Sequence, residues 1–386
     1  MTVLQVAPTN LTLTVNTIIG EASQRLTVTG RRVDGSTVDL TAAPGTNYAS
    51  SDLTVCNFGG ERGRVFAGAA GACTITVTNG GLSAQAFVTV STFTPIALAT
   101  IAIPSYANNV DASGDFVYVA AGATGLQVVG VSNPQNPLIV GSLDTPGNAN
   151  DVRIVGELAF IADGSSGLRI INIADPTHPM SVGFLDTPGE AQDVMIAGAY
   201  AYVADGAAGL QIMNISNPAA PSLVGTLDTA GTARGVDVVG TLAVVADGPP
   251  SNAVRIINVS NPASPQLVGS VALPGDVKDV VVRDTFAYVA AFTAGLQVVD
   301  FSTPTNPRIV GSLPSSFVPR DVEVSGQFAL FAEQIFPNAV PIVDVTTPAA
   351  PIFRANLNFA PLGDYAGTGT ALNPPFVYMT VVFSIC

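Results

Sequence analysis

Aspartates recur at matching places along the second half of the sequence. Asp151 and Asp193 are 42 residues apart, as are Asp279 and Asp321, and Asn109 stands 42 residues before Asp151. A repeat that brought these side chains around one axis would form a carboxylate ring able to attract a cation. No Asp-x-Asp-x-Asp loop accompanies them, and a repeated aspartate at the start of a strand commonly accepts hydrogen bonds from turn amides. We therefore predict no metal, with these four aspartates as the weak candidates.

Residues for nucleophilic or zinc chemistry are scarce. His178 is the only histidine, and the three cysteines are Cys56, Cys73 and Cys386. No Ser-His-Asp or Cys-His arrangement fits this set, and zinc would lack ligands. The absence of tryptophan argues against sialidase-like Asp boxes and quinoprotein docking motifs. We predict no enzyme activity and no cofactor; a carbohydrate-active hydrolase using channel-mouth carboxylates is the alternative, although nothing pairs an acid with a base.

These residues belong to a repeated unit of about 42 residues, a period typical of repeat architectures. Residues 148–189 read as four short strands, DVRIVG, LAFIAD, GLRIINI and MSVGFLD, separated by Gly, Asp, Asn and Pro. A glycine before the third strand is predicted to have a positive φ. Pro-x-x-Pro turns join the third and fourth strands. The units begin at the following residues: Tyr106, Asn148, Glu190, Thr232, Asp276 and Val318, with a degenerate seventh near Asp364.

The offset of the repeats predicts a closed ring. Residues 94–105, TPIALATIAIPS, match a fourth strand such as NPLIVGSLDTPG at 136–147, and they precede the first full unit. Such a strand would complete the last unit, giving a seven-bladed β-propeller over 94–386 with blade seven built from 364–386 plus 94–105. Blade seven is predicted to lack a complete third strand. Truncation of a longer parent, or self-assembly through a strand from another molecule, would explain this.

The motif AYVADGAAGLQIMNISNPAAP, in which Gly-Leu opens the third strand and Asn-Pro closes it, resembles the family of LVIVD repeats. The resemblance covers roughly 94–386, is strongest in units two to five, and implies a propeller on a bacterial or archaeal surface. The resemblance implies no particular activity.

The repeats differ most in units five and six. The residues just before the aspartate positions vary: Asn108, Asn150, Gln192, Arg234, Lys278 and Arg320. Nearby, Phe292 replaces a loop glycine, Phe317 precedes Arg320, and Ile335 and Phe336 lie in an expanded loop. Apolar residues gathered on exposed loops indicate a partner or ligand site; the alternative is that they plug the channel mouth. We predict this site to comprise Phe292, Phe317, Arg320, Ile335 and Phe336.

Residues 1–91 lack the repeat and show the alternation of a small β-sandwich. The segments RLTVTGRRVDGSTVDLT, YASSDLTV, GACTITVTNGG and SAQAFVTVS resemble the bacterial immunoglobulin-like domain, group 2, which implies a spacer or adhesive module. Cys56 and Cys73 fall in this domain. They are either two buried small residues or a disulfide formed in an oxidising compartment.

Composition limits the partners. The net charge is −14, hydrophobic residues make up 48% and charged residues 11%. Without a basic patch, nucleic acid is an unsuitable partner, and no apolar run is long enough for a membrane helix. No signal peptide is visible at the start.

The whole sequence is thus predicted to be all-β: an N-terminal immunoglobulin-like sandwich followed by a seven-bladed propeller closed by its N-terminal strand. The predicted role is a non-enzymatic, exported extracellular or cell-surface protein for recognition, adhesion or assembly, with a protein or glycan partner. A structural subunit of an extracellular filament or layer is a further alternative.

Overall fold

A computed structural model describes residues 1–16, 22–58, 62–93, 98–314, 318–333, 339–358, 365–373 and 376–383. The chain divides into two compact units, Met1–Pro95 and Ile96–Cys386. The described residues contain strands and one short 3-10 turn, Phe292–Ala294, but no α-helix. Within these ranges, no helix has the length and apolar character needed to cross a membrane.

The described residues of the amino-terminal unit form ten strands arranged in three sheets. The strands are β1 Val3–Ala7, β2 Asn10–Asn16, β3 Ser23–Arg25, β4 Thr27–Arg31, β5 Thr37–Asp39, β6 Asn47–Ser50, β7 Cys56–Asn57, β8 Arg64–Ala67, β9 Gly71–Asn79 and β10 Leu82–Phe93. The sheets have the orders β1-β4-β5, β2-β10-β9-β6 and β3-β8-β7, and β2 pairs with β10 in parallel. Alternate residues of β9, including Ile75 and Val77, enter the core, as the period-2 pattern requires.

A disulfide joins Cys56 of β7 to Cys73 of β9, with the two Cα atoms 6.2 Å apart. Both residues belong to the hydrophobic core of the amino-terminal unit, where Cys56 is fully buried. The bond therefore links two different sheets of this unit.

Where the structure describes the second unit, it forms six four-stranded antiparallel sheets, numbered one to six along the chain, and a hairpin that follows them. Their strands are β11 Asn109–Ser113, β12 Phe116–Ala120, β13 Leu126–Gly130 and β14 Leu138–Leu143; β15 Asp151–Val155, β16 Leu158–Ala162, β17 Leu168–Asn172 and β18 Met180–Leu185; β19 Asp193–Ala197, β20 Tyr200–Ala204, β21 Leu210–Asn214 and β22 Ser222–Leu227; β23 Ala233–Val239, β24 Leu242–Asp247, β25 Ala253–Asn258 and β26 Gln266–Ala272; β27 Asp279–Arg283, β28 Phe286–Ala290, β29 Leu296–Asp300 and β30 Arg308–Leu313; β31 Pro319–Ser325, β32 Phe328–Glu333, β33 Ala339–Asp344 and β34 Ile352–Asn358; and, in the hairpin, β35 Tyr365–Asn373 and β36 Phe376–Phe383. The predicted four-strand unit is confirmed in all six sheets.

The first strand of each sheet contacts the first strand of the next. These contacts run from β11 through β15, β19, β23 and β27 to β31, and β35 contacts both β31 and β11. The side of the sheets formed by these first strands is called the central channel below. Its mouth is the end at which the first strands begin, and the loops between second and third strands lie at the same end. An isolated β-bridge joins each of the first three of these loops to the next sheet, as between Gly122 and Ala149.

The second and third strands of each sheet are buried on both faces, whereas the fourth strands are largely exposed. In one typical cluster, Ile170 of sheet two packs with Val203 and Met213 of sheet three, and all three side chains are fully buried. Polar residues are therefore excluded from most strand positions on both faces, which accounts for the 48% hydrophobic composition.

Glycine and proline set the spacing between sheets. A Cβ on Gly225 of β22 would collide with the carbonyl of Pro262, which lies in the Pro-x-x-Pro turn of the next sheet. The same pairing recurs in four other places: Gly141 with Pro176, Gly183 with Pro218, Gly269 with Pro304 and Gly311 with Pro348. The predicted positive φ before the third strand is also confirmed, for example at Gly209, where φ is 73°.

Residues 98–108 form no strand. The fourth strand predicted over 94–105 is therefore absent from its described part, and 94–97 lie outside the described residues. Ile101 and Ile103 instead pack, partly buried, against a cluster that contains Ala371 and Tyr378 of the hairpin. The apolar pattern reflects side-chain packing here, without ladder hydrogen bonds.

Candidate functional site

The predicted aspartates link neighbouring sheets. Each accepts a hydrogen bond from a backbone N–H of the following sheet or hairpin: Asp151 from Val194 at 3.1 Å, Asp193 from Val236 at 2.6 Å, Asp279 from Val322 at 3.0 Å and Asp321 from Thr370 at 2.8 Å. The expectation that they cap local turns is therefore wrong, because their amide partners lie a full repeat away. Asn109 continues the pattern by donating its amide to Asp151 at 2.6 Å.

A second layer of polar side chains lies two residues further along the first strands. Asp111 accepts the N–H of Ile154 at 2.7 Å, and Asp237 accepts that of Val282 at 2.7 Å. Arg153 occupies the same position in sheet two, with its Nε 3.9 Å from an Asp151 oxygen. The charges of Asp151, Asp193, Asp111 and Glu323 act on it and raise its pKa further. Arg153 is thus a cation placed among channel carboxylates.

Burial controls the protonation of these carboxyl groups. It raises the pKa of Asp279 to about 8, with the charge of Asp321 adding to the effect. It raises the pKa of Asp321 and of Glu323 to about 7 each, and Arg153 opposes the rise in both. Several of these groups are therefore partly protonated near neutral pH, which limits the negative charge of the channel.

A third set of aspartates holds loops together at the channel mouth. Asp163 accepts hydrogen bonds from the Thr145 hydroxyl at 2.6 Å and from the Gly147 N–H at 2.9 Å. The same hydroxyl contact joins Thr187 to Asp205 at 2.6 Å and Thr229 to Asp247 at 2.9 Å. In sheet five, buried Leu273 and Ala291 take the equivalent places. This threonine–aspartate pair therefore has a structural role that an apolar pair can replace.

Three cations meet at the mouth, on sheets four to six: Arg234, Lys278 and Arg320, called the cationic cluster below. Arg234 and Lys278 share Asp276, with ion-pair distances of 2.6 Å each. Burial lowers the pKa of Arg320, and the charge of Arg234 lowers it further. Burial also lowers the pKa of Lys278, which Asp276 raises and Arg234 and Arg320 lower. The three cations are thus close enough to repel one another.

Phe292 borders this cluster. Its ring centroid is 4.8 Å from the Lys278 ammonium, a distance suited to a cation–π interaction. The 3-10 turn that it begins contacts β31, which carries Arg320. Its φ is 44°, whereas the glycines at the same place in sheets one to three have φ of 51°, 55° and 57°. Phe292 therefore keeps a left-handed conformation that disfavours side chains.

Of the predicted site residues, the structure brings Phe292 and Arg320 to one place. Phe317, Ile335 and Phe336 lie outside the described residues. Lys278, Arg234 and Asp276 were not predicted as site residues. The signal for them was the change from amides in units one to three to cations in units four to six.

No metal centre is evident in the described parts of the chain, where no group of three or more His, Cys, Asp or Glu side chains is arranged to hold an ion. The four weak candidates use their oxygens to accept the cross-sheet hydrogen bonds instead.

Comparison with known proteins identifies the repeat. The model of the LVIVD repeat matches six segments: 104–145, 146–187, 188–229, 230–272, 274–314 and 319–358. Together they cover more than half of the chain. No curated protein matches the sequence.

Solved structures share the fold at low sequence identity. The β-propeller domain of Cps50 (Swd1) from Myceliophteria thermophila is 9% identical, with a TM-score of 0.57, covering 74% of this chain and 96% of that one. A chain of the mitotic checkpoint complex is 12% identical, with a TM-score of 0.61 and coverage of 75% and 89%. The computationally designed Ika8 protein is 11% identical, with a TM-score of 0.56 and coverage of 85% and 94%. These likenesses indicate a β-propeller and carry no function.

Proposed function

The chain belongs to the LVIVD-repeat family, and from this premise we propose that it is a non-enzymatic recognition protein, secreted or held at a cell surface. The propeller serves as a rigid binding platform with seven blades, and the amino-terminal unit is an immunoglobulin-like spacer or adhesion module. The contacts of β35 with both β31 and β11 support closure with the hairpin as the seventh blade. The Cys56–Cys73 disulfide supports export to an oxidising compartment.

The observation that carries this proposal is the departure from the repeat at the cationic cluster. Scaffold positions are the same from sheet to sheet, but here three neighbouring sheets replace amides with cations. A strained Phe292 lies beside them. Strain of this kind is retained where it serves a function. A partner that meets the propeller at its channel mouth accounts for both features.

A binding role is favoured over catalysis because the channel carboxylates already have partners. Asp279 and Asp321 both accept hydrogen bonds from the next sheet or hairpin. The single histidine, His178, lies on an exposed turn, 3.0 Å from an Asp175 oxygen. The raised pKa values of Asp279, about 8, and of Asp321 and Glu323, about 7, suit a general acid, but among the described residues no second group is paired with any of them as a base.

The test compares binding of labelled protein to intact cells of the producing organism by flow cytometry. In the test variant, Arg234→Asn, Lys278→Gln and Arg320→Gln are combined, which restores the amides of sheets one to three. Arg283→Gln, at the far end of the same first strand as Asp279, is the matched control. We expect saturable binding by the wild type and the control, and loss of binding in the triple variant. Equal binding by all three proteins, or none by the wild type, would refute the proposal.

A further inference from the structure

We propose that the amino-terminal unit binds a neutral polysaccharide chain, through an open pocket between β1 and β10 and the adjoining outer face of the sheet β2-β10-β9-β6. The pocket and this face together are called the neutral site below. The inference rests on the proposed adhesion role for its biological meaning, whereas the site itself is argued from the contacts, exposure and charge of the amino-terminal unit alone.

The pocket offers both apolar and polar groups. Its volume is about 340 Å³, within the range of small-molecule sites. Leu4 and Val6 contribute its apolar lining and are themselves almost fully buried. Gln5, Thr9 and Gln85 contribute amide and hydroxyl groups, and all three residues are exposed. Sugars combine apolar C–H surfaces with hydroxyl edges, so this lining has a counterpart for each.

Phe87 lies beside the pocket on the outer face. Its backbone N–H donates to the Thr9 carbonyl at 2.8 Å, and Gln85 stands two residues earlier on the same face of β10. Strands pair with β10 on both sides of Phe87, through Asn10 of β2 and Thr74 of β9. Although it lies in the middle of the sheet, Phe87 is 55% exposed. Its ring is therefore a platform on which the apolar side of a sugar ring can stack.

Hydroxyl groups continue from this ring in register across the face. Thr12 of β2 is paired with Thr89 of β10, and Thr14 is paired with Ser91. The hydroxyls of the second pair are 3.3 Å apart. Among the described contacts, the hydroxyls of Thr12 and Thr89 have no partner within the chain. A hydroxyl both donates and accepts hydrogen bonds, so sugar hydroxyls can replace the water on this face at little enthalpic cost.

The charge of the site favours a neutral partner. The strands β2, β6, β9 and β10 contain no charged residue, and the residues that line the pocket are uncharged as well. Residues 1–95 contain five arginines and five acidic residues, so the net charge of −14 belongs to 96–386. Exposed sheets ordinarily carry charges that prevent unwanted association. A charged polymer would find no counter-charge on this face, whereas a neutral polysaccharide requires none.

The test is affinity electrophoresis of the purified full chain in native gels that contain hydroxyethyl cellulose, mannan, dextran or xyloglucan, with alginate as the anionic comparison. The dependence of mobility on polymer concentration gives the dissociation constant. We expect at least one neutral polymer to retard the wild type and alginate to leave its mobility unchanged. Retardation by none of the neutral polymers, or equal retardation by alginate, would overturn the proposal.

Phe87→Ala should weaken binding of the neutral polymer at least about tenfold, the loss expected for an aromatic anchor. Phe184→Ala is the matched control, because Phe184 is 57% exposed on β18 of the second unit. It should bind as the wild type does. Equal affinity in the two variants would refute the site.

Gln85→Glu tests the pocket without changing the size of the side chain. The carboxylate lacks the two N–H donors of the amide, so affinity should fall about two- to tenfold, the net value of a hydrogen bond. Gln135→Glu places the same charge on an exposed turn of the second unit and should bind as the wild type does. Unchanged affinity in a folded Gln85→Glu protein would contradict the role of the pocket.

A second copy of this chain is the alternative occupant of an uncharged sheet face. Light scattering that shows a wild-type dimer and a monomeric Phe87→Ala variant, without polymer binding, would identify that occupant and overturn the proposal. Polysaccharide binding without binding to intact cells would refute the proposed function alone. Cell binding that depends on the cationic cluster, without affinity for any neutral polymer, would refute this inference alone.

Discussion

The backbone at Phe292 offers a test of whether this residue is retained for a role other than stability. The φ of Phe292 is 44°, and the same place holds glycine with φ between 51° and 57° in the first three sheets. The perturbation is a pair of substitutions, Phe292→Gly and Phe292→Ala. Both remove the ring, but only glycine relieves the backbone strain.

Two effects of opposite sign determine the difference in stability between the glycine and alanine variants. A residue with a Cβ in the left-handed region is disfavoured by about 1–2 kcal/mol, and glycine loses about 0.5–1 kcal/mol more backbone entropy than alanine on folding. Loss of the cation–π contact with Lys278, about 0.5–1 kcal/mol, applies to both variants. We therefore expect Phe292→Gly to be more stable than Phe292→Ala by about 0.5–1 kcal/mol, the reverse of the usual order.

The assay is urea unfolding of the full chain followed by far-UV circular dichroism, which suits a chain that has no tryptophan. Thr293 gives the matched control, since it lies in the same turn and is not among the residues with positive φ. Thr293→Ala should be more stable than Thr293→Gly. An alanine variant at position 292 as stable as the glycine variant would refute the strain argument.

Three further predictions concern the channel and the amino-terminal unit. Burial raises the pKa of Asp279 to about 8. Between the ordinary aspartate pKa of the unfolded chain and this higher pKa, the unfolded chain is ionised while the folded chain keeps its proton. The free energy of unfolding therefore falls as pH rises through this range, by about 1.4 kcal/mol per pH unit for this group. Asp279→Asn, which keeps an acceptor for Val322, should therefore stabilise the protein at pH 8 and have little effect at pH 4 in thermal unfolding. Arg153→Met removes a cation from among carboxylates and should lower the free energy of unfolding by about 3–5 kcal/mol at pH 8. The loss should be smaller at pH 5, because more of the carboxyl groups are protonated there. Urea unfolding at both pH values measures the difference. Joint replacement of Cys56 and Cys73 by alanine opens a loop with a sequence separation of 17 and should lower the stability of the amino-terminal unit by about 3 kcal/mol, measured by urea unfolding against the oxidised wild type.

The sheets of the second unit could be predicted because each strand is bounded by local signals. Gly-Leu opens the third strand of sheets one, two, three and five, and a proline follows the third strand in all six sheets. In the amino-terminal unit the short strands are harder to predict: β3 and β7 contain three and two residues, too few for a period-2 pattern to be recognised. The strand predicted over 94–105 shows the opposite case, in which an apolar alternation is present without a strand. Ile101 and Ile103 pack against a cluster made mostly of sheet-one residues, which also includes Ala371 of the hairpin, but 98–105 form no strand.

The candidate site was only partly predictable, because its contacts connect positions about 42 residues apart. A local interpretation assigned Asp193 to a turn, whereas its partner is the N–H of Val236 in the next sheet. Alignment of the repeats showed that Arg234, Lys278 and Arg320 occupy one varying position. It did not show that Arg234 and Lys278 share Asp276 or that Phe292 lies against Lys278, since these contacts depend on side-chain geometry.

A repeated structure contains its own controls, and this is why the cationic cluster can be separated from the scaffold. Asn108 and Asn150 show that an amide at this position can reach the carbonyl of the next sheet. Gln192 instead donates to the Glu190 carbonyl at 3.3 Å, so the inter-sheet contact is not made in the same way by every sheet. Arg234 keeps a contact with the Val277 carbonyl at 3.4 Å and adds an ion pair with Asp276. An uncharged amide is therefore sufficient at this position in sheets one to three, and the inter-sheet contact alone does not account for the change to cations in sheets four to six.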